Sequence, residues 1–279
     1  MPLVQRHGAD ASGNEPSPAI WNRVSWSDIH HGKGKYFYED FTSLAIPLAV
    51  ASNAAVYVGD KGWYSYQDTG DVITQLATDS NGVLSAAIAA TNNNETWIMP
   101  GSATSVMFVP NTKANSGTSI FFEARVKMSQ VTSGNMFIGL SEEGLAAANT
   151  ISDADALADK DLIGFVVLEA DPDQADFVYN KASAGGVTTV LGDAAAIVAD
   201  TFVKLGFVVD MVEGDNNKRV KIYVDGVEKG TYVTNSAFEN TTLFPTGEEL
   251  HVLFGGKNQN AAKTLGIDWV RVAQLKSGN

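Results

Sequence analysis

The sequence predicts an all-β fold, an antiparallel β-sandwich of the jelly-roll type with an extended N-terminal arm. Three observations support this prediction. Short β-prone runs follow one another between Gly, Asn, Asp and Ser residues, helical periodicity is sparse, and no internal repeat of fixed period is present. A chain of 279 residues is long for one domain, but sandwiches of this class often exceed 200 residues.

The strands are read from alternation and from turn residues. Residues 120–127 alternate, with Ile120, Phe122, Ala124 and Val126 on one face, which is typical of a half-buried strand. Asp225-Gly226 between two β-prone runs predicts a two-residue hairpin. The predicted strands are 56–58, 72–76, 83–89, 96–99, 105–109, 120–127, 136–140, 163–168, 203–210, 220–224, 227–233, 250–254 and 265–272. Residues 144–149, 153–159 and 193–200 could each form a helical turn or two.

The chain divides into an arm, a sandwich and a tail. Residues 1–35 lack an apolar period and contain several Pro and Gly, so they predict an extended N-terminal arm. Its second half is apolar enough to dock on its own domain or on a neighbour. The expected contact residues are Ile20, Trp21, Val24 and Trp26. The sandwich spans 36–275, and 276–279 form a polar tail.

Charge and composition exclude several classes of function. Nineteen Lys and Arg against 32 Asp and Glu give a net charge of −13, and without a basic cluster nucleic acid is not an expected partner. The absence of Cys excludes disulfides. The longest apolar runs, such as 83–90, are too short for a membrane helix, so no membrane span is predicted. Without a signal-like start, we expect a soluble protein made in the cytosol.

The charge is distributed unevenly. Residues 1–35 carry +1, whereas residues 142–176 hold ten acids and Lys160 and carry −9. Within this stretch, oxygen ligands for Ca²⁺ could come from Asp153, Asp155, Asp159 and Asp161, but their spacing does not match a calcium loop. A solvated acidic rim is the preferred interpretation, so no metal and no cofactor are predicted.

Other polar motifs give weak signals for chemistry. Glu169-Ala170-Asp171-Pro172-Asp173 resembles the alternating acids of sandwich glycosidases, but the internal Pro indicates a strand end entering a turn. Glu142 and Glu143 would point to opposite faces of a strand, so they are not expected to act together on one substrate. We interpret them as charged residues at the end of a strand. His30-His31 lacks a third metal ligand at short spacing, which favours packing of the arm. No catalytic residues are predicted.

One strand face could bind a partner or a glycan. Phe121, Glu123, Arg125 and Lys127 share the polar face of the strand at 120–127. Aromatic and polar groups together suit sugar binding, and they equally suit a subunit interface.

Several runs occur in an order that resembles a known group of proteins. They are 36–41 (YFYEDF), 121–126 (FFEARV), 137–140 (FIGL), 163–165 (IGF), 203–207 (VKLGF), 223–227 (YVDGV) and 267–271 (IDWVR). This order resembles the concanavalin-A-like, laminin-G-like jelly rolls of tailed-bacteriophage virion proteins, over residues 36–275.

The resemblance implies a virion structural protein, of the capsid decoration or cement type. The arm would then bind the major capsid protein or other virion subunits, and the sandwich would form homo-oligomers such as trimers. The resemblance also favours the interface reading of the 121–127 face. Virion particles, assembled in the host cytoplasm, are the expected location. The alternative is a carbohydrate-binding module of a tail or fibre that recognises host glycans, and a sandwich glycosidase is the third hypothesis.

Overall fold

The computed structural model describes residues 13–41, 54–58, 63–76, 82–100, 108–110, 119–142, 147–210 and 218–275. These residues form two packed antiparallel sheets and three short helices. The predicted polar tail and residues 1–12 of the arm lie outside the described residues. Among the residues described, no helix is long and apolar enough to cross a membrane.

Sheet I holds eight strands. Its main path is ordered β14-β13-β12-β7-β16-β5-β4, and β1 pairs with β16 beside that path. The bounds are β1 Gly34–Glu39, β4 Val72–Leu76, β5 Val83–Ile88, β7 Ile120–Met128, β12 Val203–Val209, β13 Lys218–Val224, β14 Val227–Thr234 and β16 Lys263–Leu275. The predicted Asp225-Gly226 hairpin joins β13 to β14, with φ positive at both residues as this turn requires.

Sheet II also holds eight strands, in the order β11-β10-β9-β8-β15-β6-β3-β2. The bounds are β2 Ala54–Val58, β3 Trp63–Gln67, β6 Glu95–Pro100, β8 Met136–Ser141, β9 Leu162–Val167, β10 Gln174–Asn180, β11 Thr188–Ala196 and β15 His251–Lys257. Consecutive strands often lie in different sheets, so half of the strand pairings join strands that are not neighbours in the chain.

The core lies between the sheets, where the inward residues of both meet. Phe122 stacks on Phe207 in sheet I with ring centroids 4.8 Å apart, and Phe207 contacts Phe177 of sheet II. Strand alternation then fixes the opposite side chains of these strands as outward-facing. The predicted face of β7 is therefore on the outside of sheet I.

The N-terminal arm differs from its prediction. Two short helices, α1 Pro18–Trp21 and α2 Trp26–His30, replace an extended chain, and β1 begins at Gly34. Ile20, Trp21 and Val24 are buried on the outer face of sheet I. The sequence left open whether the arm docks on its own domain or on a neighbour, and in this structure it docks on its own domain. These side chains are therefore not presented to a partner.

Three local predictions need correction. Residues 193–196 belong to β11 and not to a helix, and residues 153–159 form turns closed by an isolated bridge between Ile151 and Leu157. Of the predicted helix at 144–149, only 147–149 are described, and they are turn. The strands β1, β3, β10 and β11 were not predicted. The last helix is α3, Asn235–Phe238.

Candidate functional site

The arm is held on sheet I by a buried carboxylate. Glu123 of β7 is 1% exposed, and its Oε2 accepts hydrogen bonds from the Ser17 backbone N–H at 2.8 Å and from Trp21 Nε1 at 2.7 Å. Burial raises the pKa of the Glu123 carboxyl, against the opposing effect of these donors. Two donors from the arm on one carboxylate oxygen fix the position of α1 over β7.

The sheet surface is shaped to receive the arm. A Cβ on Gly206 of β12 would lie 2.6 Å from Ile20 Cδ1, so Ile20 packs directly on this glycine. Lys204 Nζ donates to the Glu15 carbonyl at 3.2 Å, and Trp269 Nε1 donates to the Asn14 carbonyl at 2.6 Å. The arm therefore occupies a fitted groove and covers one end of the outer face.

Arg271 of β16, directly opposite Glu123 and 6% exposed, lies among four aromatic rings. Its guanidinium carbon is 4.9 to 5.6 Å from the ring centroids of Trp21, Trp26, Tyr36 and Tyr38. Nε of Arg271 donates to Tyr36 Oη at 2.8 Å. Such cation–π contacts hold the guanidinium group and the four rings in fixed positions relative to one another.

Three of these rings remain partly open to solvent. Tyr36 is 38% exposed, and Trp26 and Tyr38 are half-buried. Trp26 meets Tyr36 edge to face at 5.1 Å, and Tyr36 and Tyr38 are stacked at 6.5 Å. Burial and the nearby Asp40 raise the pKa of Tyr38 to about 12, so its hydroxyl stays protonated and available as a donor.

A second group of charged and aromatic residues continues this surface. Arg125 of β7 pairs with Asp268 at 2.6 Å and lies 3.9 Å over the ring of Phe202. Lys127 lies 4.5 Å over the same ring. We call the whole set the aromatic surface; it comprises the partly exposed Trp26, Tyr36, Tyr38, Arg125, Lys127 and Phe202, together with the buried Arg271 and Asp268, which are 6% and 2% exposed.

The sequence identified only part of this surface. Of the face predicted from β7, the structure leaves Arg125 and Lys127 half-buried at the surface, whereas Phe121 and Glu123 are covered by the arm. Trp26, predicted as an arm contact, lies at the edge of the surface. Tyr36, Tyr38 and Arg271 were not singled out, although the alternation in 36–38 and 269–271 places them on one face.

The outer face of sheet II has a different character. It carries a second apolar cluster in which Trp97, Phe137 and Leu253 are buried, and Ile151 and Leu157 pack over it. Gly139 of β8 and Gly164 of β9 are directly opposite each other, and a Cβ on either would lie about 2.5 Å from a backbone carbonyl oxygen. This face is a second packed core in the part of the chain described.

His251 lies at one end of this face. It is fully buried on β15, opposite Ser141 of β8, and neither ring nitrogen has a hydrogen-bond partner within the described residues. Burial therefore lowers the pKa of His251 to about 4.

The four Asp residues considered as calcium ligands each bond to a different protein group. Asp155 accepts from the backbone N–H groups of Glu169 and Ala170, both at 3.0 Å, and Asp161 accepts from that of Ala182. Asp153 pairs with Lys257, and Asp159 accepts from Asn180 Nδ2 at 3.0 Å. No cluster of three potential metal ligands occurs among the described residues.

The remaining motifs lie in turns or at exposed ends. Residues 169–173 form the turn between β9 and β10, as their Pro predicted, so they do not line a strand with alternating acids. Glu142 pairs with Lys160 at 2.9 Å just after β8, while Glu143 lies outside the described residues. His30 and His31 are exposed, and each ring contacts a carbonyl of its own helix, those of Trp26 and Ser27.

Comparisons with known proteins identify the fold. The sequence matches no model of a protein family. It also matches no curated protein. Among solved structures, a protein of unknown function from Shewanella oneidensis MR-1 has a TM-score of 0.51 at 16% identity, covering 92% of this chain and 96% of that one.

Two glucanase structures show a similar degree of structural likeness to this chain. An endo-1,3-β-glucanase from Streptomyces sioyaensis has a TM-score of 0.52 at 14% identity, covering 88% of this chain and 98% of that one. A family 16 glycoside hydrolase from Bacteroides ovatus, solved with a product, has a TM-score of 0.51 at 12% identity, covering 85% and 99%. The chain has the concanavalin-A-like jelly-roll fold, so the predicted fold class is confirmed.

Proposed function

We propose that this chain binds carbohydrate through the aromatic surface on sheet I. The observation that carries the proposal is the set of partly exposed rings around Arg271, continued by the Arg125–Asp268 pair. The C–H face of a sugar ring packs against an aromatic ring, while sugar hydroxyls bond to arginine and carboxylate groups. Rings and polar groups fixed by mutual contacts would lose little conformational entropy on binding.

The fold supports the proposal by analogy only. The two endoglucanases similar to this chain are named for the glucans on which they act. One fold serves many functions, so this analogy raises the expectation of a glycan ligand without identifying a site. At the aromatic surface, the groups present offer stacking and hydrogen bonding, and Asp268 is already paired with Arg125. Binding is therefore the activity that this surface supports.

A virion role remains the more specific sequence-based prediction, together with the virion location and homo-oligomer formation. The residues predicted to contact other subunits, Ile20, Trp21 and Val24, are buried on this chain's own sheet. A glycan-binding module of a tail or fibre therefore fits the observed contacts better than a decoration protein that uses its arm to attach.

The test is a binding assay on a panel of polysaccharides that includes laminarin, mixed-linkage β-glucan and polygalacturonate. We expect Tyr36→Ala to weaken binding about tenfold, because an exposed stacking ring is removed. Tyr232→Ala is the matched control, since Tyr232 lies on β14 and contacts Lys218. Equal affinity of Tyr36→Ala and wild type, or no binding to any glycan, would contradict the proposal. Release of reducing ends in the same samples would instead support a glycosidase.

A further inference from the structure

We infer that Asp71 and two buried amide side chains, those of Gln67 and Asn258, hold a monovalent metal cation, Na⁺ or K⁺, between the two sheets. The site is separate from the aromatic surface, so the inference does not depend on the proposed function. The observation that carries it is a buried carboxylate in a network with two buried amide oxygens that lack a hydrogen-bond partner within the described chain.

Asp71, just before β4 of sheet I, is a buried carboxylate without a counterion among the described residues. It is 1% exposed, and its Oδ1 accepts from the Ala89 N–H at 2.8 Å and from Asn94 Nδ2 at 3.0 Å. Its Oδ2 accepts from Thr96 Oγ1 of sheet II at 2.9 Å. These donors are neutral, and none of the ion pairs in the described part of the chain includes Asp71. Burial, and to a smaller degree the charge of the half-buried Asp68, raise the pKa of the Asp71 carboxyl against the effect of the three donors.

Gln67 of β3 supplies the first amide oxygen. It lies directly opposite Thr96 of β6, and alternation with the core residues places both side chains between the sheets. Gln67 is fully buried, its Nε2 donates to Ser65 Oγ at 3.1 Å, and its Oε1 has no partner within the described residues. Directly opposed residues have Cβ atoms about 5 Å apart. The register therefore places the Gln67 amide next to the hydroxyl that bonds to Asp71.

Asn258, just after β15, supplies the second amide oxygen and is linked to Asp71 by two short routes. Its backbone N–H donates to the Asn94 carbonyl at 2.9 Å, and Asn94 donates in turn to Asp71. Its Nδ2 donates to the carbonyl of Ala89, whose N–H donates to Asp71. Because Nδ2 is engaged in this way, Oδ1 is the atom without a partner in the described chain, although Asn258 is fully buried.

A lysine at the same end of the sandwich does not neutralise this carboxylate. Lys263 of β16 pairs with Ile88 and is buried, and its Nζ donates to the backbone carbonyls of Asn135 at 2.6 Å and of Lys257. Burial lowers the pKa of Lys263 well below its ordinary value, which reduces the positive charge that it carries. The negative charge of Asp71 therefore calls for a cation from solution.

The chemistry of the ligand set favours a monovalent ion. Buried charges and buried oxygens without donors are unfavourable, and one metal cation bound to carboxylate and amide oxygens would satisfy both. The single carboxylate of Asp71 balances one positive charge, whereas a divalent ion would leave an excess charge in the interior. Most of the ligands are neutral amides, so the site differs from a cluster of three His, Cys, Asp or Glu side chains, of which the described residues hold none.

The test measures thermal unfolding of the full-length protein in KCl, in NaCl and in N-methylglucamine chloride, each at about 150 mM so that screening is equal. N-methylglucamine carries the same charge as the alkali ions but is far larger. We expect KCl or NaCl to raise the unfolding temperature by about 3 °C over the organic salt, as a ligand at roughly ten times its Kd does. Asp71→Asn should abolish this difference. Asp176→Asn is the matched control, because it removes a carboxylate of the acid-rich stretch and should keep the difference.

Each outcome bears on the site itself. Equal unfolding temperatures of the wild type in the three salts overturn the inference, and so does the same difference between salts in wild type and Asp71→Asn. A larger rise with about 1 mM CaCl₂ than with KCl or NaCl overturns the assignment of a monovalent ion. Should Asp71→Asn fail to fold, Gln67→Met decides, since it removes a ligand oxygen and no charge. Loss of the difference between salts in Gln67→Met supports the site, and an unchanged difference overturns it.

Discussion

The buried imidazole of His251 makes the stability of this protein depend on pH. The ordinary pKa of 6.5 falls to about 4 in the folded chain, because the ring is buried and the described residues offer its nitrogens no hydrogen bond. Above about pH 6.5 both folded and unfolded forms are neutral, so the full stability is present. As the pH falls from about 6.5 to about 4, the unfolded chain takes up a proton that the folded chain refuses, and stability is lost.

The size of the loss follows from the shift. At about 1.4 kcal/mol per pKa unit, the free energy of unfolding should fall by about 2 kcal/mol between pH 7 and pH 5, and by about 3 kcal/mol below pH 4. His251→Leu removes the titrating group and an unsatisfied buried polar group. The variant should therefore be at least as stable as wild type near neutral pH and clearly more stable at about pH 5.

The assay is urea unfolding of wild type and His251→Leu at several pH values. Comparing the two chains is necessary because burial also raises the pKa of Asp71, Glu95, Glu123 and Asp161, and those groups favour the folded form as pH falls. Their effect is common to both chains and cancels in the difference. His251→Asn, which is polar but does not titrate, serves as a second variant. Parallel pH profiles of wild type and both variants would refute the reasoning.

Three further predictions concern the arm and the sheets. Ile20→Ala should detach the arm at a cost of about 2 to 4 kcal/mol, seen as rapid proteolysis near residues 22–33, while Ser27→Ala, at an exposed position, should leave the cleavage rate unchanged. Gly164→Ala should cost about 3 kcal/mol in urea unfolding because its Cβ would lie 2.5 Å from the Ile138 carbonyl oxygen. Gly230→Ala has open space and should be neutral or slightly stabilising, so a similar loss in both chains would contradict the steric argument. Asp155→Ala should lower the free energy of unfolding by about 1 kcal/mol, because the Asp155 carboxylate accepts from the backbone N–H groups of Glu169 and Ala170. Glu169→Gln keeps both backbone donors and should leave the free energy of unfolding unchanged.

The sequence predicted the fold class because strand alternation and turn residues are local signals. The strand predicted at 120–127, observed as Ile120–Met128, and the Asp225-Gly226 hairpin were placed correctly for that reason. The strand β11 was missed because its central residues, Leu191-Gly192-Asp193, mix apolar, small and charged groups at an exposed sheet edge. The pattern of burial there depends on which neighbours the strand acquires.

The candidate site was less predictable because it depends on long-range pairing. The antiparallel pairing of β1 with β16 sets Tyr36 opposite Ala273 and Tyr38 opposite Arg271, residues more than 200 positions apart. The sequence gives the outward face of each strand but not which strands are neighbours. Likewise, the polar face of β7 was identified correctly, but the sequence could not show that the chain's own arm covers Phe121 and Glu123.

The concentration of acids on the side of sheet II has a consequence for how this molecule meets a charged surface. In the described part of the acid-rich stretch, residue 142 and residues 147–176 belong to the strands and turns of sheet II, whereas Arg125, Lys127 and Lys204 lie half-buried on the outer face of sheet I. In solvent, electrostatic interactions between exposed charges decay over about 8 Å at physiological ionic strength. A polymer that approaches sheet I therefore responds mainly to the charges of that sheet, and the acids on the side of sheet II contribute more to the interaction as the salt is diluted.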